Sequence, residues 1–74
     1  MPPLPRNLSS RECVRALENA HFYFVRQKGS HMVMRRDDPF TQVIVPEARS
    51  LPPGTLRNII RQAGMTVDEF VALL

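Results

Sequence analysis

Tryptophan is absent from this 74-residue sequence, cysteine occurs once and glycine three times. With Cys13 alone, neither an intrachain disulfide nor a zinc site of the usual multi-cysteine kind can be built, which fits a reducing, cytoplasmic location. His21 and His31 do not combine with Cys13 at a recognised metal-ligand spacing, so no metal and no cofactor is expected. The three glycines, Gly29, Gly54 and Gly64, do not fall at the spacing of a phosphate-cradling loop. No apolar run exceeds five residues, against roughly 20 for a membrane-spanning helix. Three prolines among the first five residues, with no apolar h-region, argue against a signal peptide.

What the chain does carry is arginine. Ten Lys plus Arg, nine of them Arg, face seven Asp plus Glu, giving a net charge of +3 and a pI near 10. Arginine forks onto phosphate, so this balance favours a polyanion such as nucleic acid over a neutral metabolite, although charge of this size also occurs on proteins that bind none. A chain this short forms one domain with a barely sufficient core, so function must sit on an exposed face or edge.

Residues 1 to 8 are proline-rich and aperiodic and read as an extended, partly disordered lead-in to a domain over 9 to 74. Ser9 and Glu12 form a capping box, and Cys13, Val14, Leu17 and Ala20 then make one apolar stripe, predicting a helix over about 10 to 20. Cys13 on that stripe reads as a small core hydrophobe. Aromatic and β-branched residues from His21 to Lys28 suit a strand, and Gly29 with Ser30 supplies a corner. His31 to Arg36 alternates weakly with apolar residues on both sides, so periodicity leaves open which side is buried. Asp37, Asp38 and Pro39 signal a tight loop, and Thr41 to Val45 a third strand. Leu56, Ile59, Ile60 and Ala63 mark a second helix closed by Gly64, with Arg57 and Arg61 outward. Thr66 with Glu69 is a second capping box, opening a short helix with Val67, Phe70, Val71 and Leu74 inward. The predicted class is α+β: a three-stranded antiparallel meander with helices on one face and a short extra C-terminal helix.

The candidate site is the span from Arg26 to His31. Histidine can both take and give a proton near neutrality, and Gly29 would present His31 at the start of a strand among Arg26, Lys28 and Arg35. RNA brings its own nucleophile, the 2′-hydroxyl, so a metal-free ribonuclease needs little beyond a proton acceptor and a cation near the phosphate. Arg26, Lys28, Arg35, Arg36, Arg57 and Arg61 could contact phosphates, or could be a solvated face and nothing more. His21 reads more simply as a helix C-cap or surface residue, and Tyr23 as either a base-stacking or a core aromatic.

The segment Phe24 to His31, FVRQKGSH, resembles the central strand-turn-strand signature of the HicA family of toxins, and Leu51 to Phe70, LPPGTLRNIIRQAGMTVDEF, is similar to its C-terminal helix signature. The resemblance implies a fold like that of double-stranded-RNA-binding domains, α-β-β-β-α, and a cofactor-free messenger-RNA endoribonuclease. It implies His31 as catalytic residue, Gly29 and Ser30 as the motif positions around it, and a HicB-like antitoxin that covers the active face. One departure is Ala48, where many relatives place a second histidine after the proline; another is His21, where relatives usually carry glycine. Besides the nuclease, a non-catalytic RNA-binding module of the same fold and an antitoxin-binding domain with only residual activity remain open readings.

Overall fold

The computed structural model describes residues 3–74 and orders them as α1 (Ser10–Asn19), β1 (Tyr23–Lys28), β2 (His31–Asp37), β3 (Phe40–Pro46), α2 (Pro53–Gln62) and α3 (Val67–Val71). The strands form one antiparallel sheet in the order β1-β2-β3, as the meander predicts. Both capping boxes form. The Ser9 hydroxyl accepts from the Glu12 N–H at 3.0 Å and the Glu12 carboxylate accepts from the Ser9 N–H at 3.0 Å. Accepting that backbone bond, and then the contact with the Ser9 side chain, hold the Glu12 carboxyl below its usual pKa. Thr66 and Glu69 repeat the exchange at α3.

The helices cover one face of the sheet. Cys13, Ala16 and Leu17 from α1, Leu56, Ile59 and Ile60 from α2, and Phe70 from α3 close over Met34, Val43 and Val45. A helix of five residues is far below the length that is stable by propensity alone, so α3 exists because Phe70 is fully buried. Burial also pushes the Cys13 thiol up to about 12, which makes it an inert packing group.

Two expectations are corrected at the ends of the chain. Leu8 is no part of a loose lead-in: it is buried in the core, and its carbonyl accepts from the Leu51 N–H at 2.7 Å. Leu4 packs against the same cluster, whereas the lead-in expectation for Met1 and Pro2 lies outside the described residues. At the other end Leu73, not Leu74, packs on the core, because α3 stops at Val71 and the helical spacing no longer sets the side chains beyond it.

Both long helices end in Schellman turns. After α2 the Met65 N–H reaches back to the Ile60 carbonyl at 3.1 Å and Gly64 takes φ +74°. After α1 the Phe22 N–H reaches the Leu17 carbonyl at 3.0 Å and the left-handed residue is His21, at φ +73°. A side chain there crowds its own carbonyl, at a cost of about 1 kcal/mol that glycine escapes. His21→Gly is therefore expected to raise the unfolding free energy by roughly 0.5–1 kcal/mol, read from the urea midpoint; a lower midpoint would show that the imidazole makes a compensating contact.

Candidate functional site

Strand β2 divides its side chains between two environments, because successive residues of a strand point to opposite faces. Met34, opposite Val43, and Met32, opposite Val45, turn toward the helices. His31, Val33, Arg35 and Asp37 therefore occupy the uncovered face, and the contacts agree: Arg35 donates to the Gln42 carboxamide oxygen at 2.8 and 3.3 Å and lies 5.5 Å from the Phe40 ring centroid. The Tyr23 hydroxyl donates to Asp37 Oδ1 at 2.6 Å on the same face.

The corner that starts β2 is a two-residue turn. Gly29 takes φ +59°, the conformation a tight hairpin turn requires at its first central position, and Lys28 pairs with His31 across it. Side chains of directly opposed residues lie about 5 Å apart at Cβ, so the imidazole and an ammonium stem share the end of the open face. His31 is exposed, as are Gly29, Ser30, Lys28 and Arg26. Arg26 is paired with Val33, one step further along. That placement depends on an irregularity: register slips between Phe24 and Arg26, leaving Val25 as an extra residue. Without the slip, strict alternation would put Tyr23 and Arg26 on opposite faces; with it, Tyr23, Arg26 and Lys28 all share the face of His31.

The six cations singled out in the sequence do not converge. Arg26 and Lys28 flank His31, while Arg35 stands four residues along β2, about 13 Å away, engaged with Gln42 and Phe40. Arg36 turns to the helix side, its guanidinium 4.7 Å from the Phe22 ring centroid and its Nε buried with no partner. Arg57 and Arg61 are exposed on α2, in the layer that covers the other face of the sheet. They flank a shallow depression with Ile60, Met65 and Val67.

The segment after β3 is tied to the corner. The Glu47 N–H donates to the Ser30 carbonyl at 2.6 Å, and buried Ser10 both donates to the Ala48 carbonyl and accepts from the Ala48 N–H, each at 3.1 Å. A concavity of about 720 Å³ lies beside this clamp, lined by Arg11, Val14, Met32, Glu47, Ala48 and Arg49 among others; His31 is not among them. Among the described residues no three His, Cys, Asp or Glu side chains are grouped to hold a metal ion, and no helix is long and apolar enough to cross a membrane. Sequence reasoning passed over Phe40 and Gln42 on the open face. The signal available for them was the alternation of β3, where Phe40, Gln42 and Ile44 interleave with Thr41, Val43 and Val45.

An α-β-β-β-α domain with a bare sheet face, a histidine at its corner and cations along it defines a small basic class of protein whose candidate site lies on a surface rather than in a cleft. Residues 10–65 match the family described as HicA toxin of bacterial toxin–antitoxin. With most of the chain matched, the protein belongs to the HicA toxin family and is the toxin member of a toxin–antitoxin pair. No curated protein matches the chain.

The sole tyrosine offers a direct probe of the open face. Donation to Asp37, then burial and the Asp37 charge, raise the Tyr23 pKa above the usual value of about 10. Followed by phenolate absorbance, Tyr23 should ionise late in the parent and at lower pH in Asp37→Ala; equal titration curves would show that the bond does not persist in solution.

Proposed function

We propose that this toxin is a metal-independent endoribonuclease that cuts messenger RNA in the cytoplasm, with His31 transferring the proton. The observation that carries the reading is the exposed imidazole at the sheet corner, opposite Lys28 and one step from Arg26. In RNA the 2′-hydroxyl attacks the adjacent phosphate once its proton is removed, and the 5′ oxygen leaves once it gains one. His31 serves at either end of that exchange. Lys28 and Arg26 neutralise the charge that grows on the phosphoryl oxygens, with Gly29 and Ser30 keeping the approach to the backbone open. The flat site suits this reaction, since a polymer substrate reaches an exposed group that a buried cleft would deny it.

The remaining cations take lesser parts. Arg35 holds phosphate further along the strand of RNA, while Arg57 and Arg61, on the helix layer, add only to long-range attraction that salt screens. Arg36, stacked on Phe22, serves the fold. A HicB-like antitoxin silences the enzyme by covering the open face. Ala48 leaves the family's second histidine position without a titratable group, so that part falls to an arginine or to Glu47, whose backbone is bonded to Ser30.

His31→Ala is expected to lower the rate of RNA cleavage, measured with chelator present, by at least about a hundredfold and to abolish growth arrest, with the melting temperature little changed. Arg36→Ala should do the reverse, lowering stability by about 1 kcal/mol through the lost ring contact while cleavage persists. Cleavage by the His31 variant at the parent rate would remove the assignment. A parent chain that retards RNA on a gel and never shortens it would favour the non-catalytic binding module.

A further inference from the structure

The open face has a second end that the reaction does not use. Six residues along β2 from His31, about 20 Å away, Asp37 pairs with Phe40 at the far hairpin. Phe40 is 67% exposed and Tyr23 43%, which makes them, with Phe24 and Leu74, the large apolar side chains left in water among the described residues. A single exposed aromatic needs no explanation. Here the surroundings are organised. Arg35 lies against the Phe40 ring and is fixed by two bonds to the Gln42 oxygen, which leaves the Gln42 amide hydrogens to donate elsewhere. Tyr23 is held by Asp37, one of two carboxylates at this end, the other being the exposed Asp38 of the hairpin loop.

We propose that Phe40 and Tyr23, with Arg35 and Gln42 beside them, form a base-stacking platform that holds a nucleobase of single-stranded RNA several nucleotides from the bond cut at His31. The inference rests on the ribonuclease reading and extends it to a binding subsite. Aromatic rings flanked by guanidinium groups on a sheet hold unstacked bases, and each stacked base is worth roughly tenfold or more in affinity. Charge favours RNA over a protein partner here: Asp37 and Asp38 lie at the hairpin end, and from there to the corner the face presents Arg35, Arg26, Lys28 and His31 and no carboxylate. The slip at Val25 is what brings Tyr23 into line with these cations. A strand bound at both ends would be held across the corner, where its phosphate must meet the imidazole.

The test uses full-length His31→Ala protein, which binds without cutting, and a labelled single-stranded RNA followed by fluorescence anisotropy. Adding Phe40→Ala is expected to raise Kd about tenfold. Adding Phe40→Trp instead should keep the parent Kd, and because the chain has no other tryptophan, its fluorescence should be quenched as RNA is added. An unchanged Kd for Phe40→Ala overturns the platform while leaving the ribonuclease reading standing. So does equal weakening by alanine and tryptophan, or an unquenched tryptophan. If Phe40→Ala keeps its RNA affinity and loses affinity for the purified antitoxin, the platform is a protein contact and the proposal falls. If the His31→Ala protein binds no RNA at all, the ribonuclease reading fails and takes the platform with it.

Discussion

Everything in this molecule follows from a three-stranded sheet that has enough helix to cover one face and none for the other. In β2, the central strand, alternation is therefore a division of labour. Met32 and Met34 hold the helices, and His31 and Arg35, one residue out of step, are committed to water. A slip of one residue would bury the imidazole and expose the methionines, so the hydrophobic register that stabilises the fold is the same constraint that exposes His31. The covered face supplies stability, and the bare face is where a polymer can lie.

Val33 shows how the bare face manages without a second layer. It is 5% exposed yet does not belong to the helix-side core. Its cross-strand partners, Arg26 and Ile44, flank it on the open face. Long arginine stems cover apolar surface while keeping the charged head in water. A basic open face thus shields its own apolar floor, and the side chains that do so are those that would meet phosphate. The edges are handled separately: on β3 the Ile44 N–H, pointing outward, is met by the Gln62 side chain at 3.1 Å, which removes one free donor from the edge.

Much of the fold was legible because its signals are local. Ser9 with Glu12 and Thr66 with Glu69 announce helix starts within four residues, Gly64 a helix end, and Gly29 with Ser30 the turn before His31. The residues that were not legible depend on partners distant in sequence. Nothing within β2 says whether Met34 or Val33 meets the helices, since both are apolar; the answer lies in the stripes of α1 and α2 and in Val43 and Val45. Arg36 reads as a surface cation until Phe22 is found beneath it, and Leu8 as lead-in until Leu51 is found bonded to it. The slip at Val25 leaves no mark in composition, so the convergence of Tyr23 with Arg26 and Lys28 could only be seen once the strands were paired.

The same contrast bears on Ala48. By sequence Ala48 is marked only as a departure from the histidine that the family resemblance leads one to expect there. In the fold its backbone is doubly bonded to the Ser10 hydroxyl and its N-terminal neighbour to Ser30, so the segment is clamped between the start of α1 and the corner that carries His31. Backbone bonds of this kind do not depend on the side chain at 48. The geometry of the corner is thus held by the contacts of Ser10 with Ala48 and of Glu47 with Ser30, whatever the side chain at 48. Where His31 stands is therefore independent of the side chain at 48.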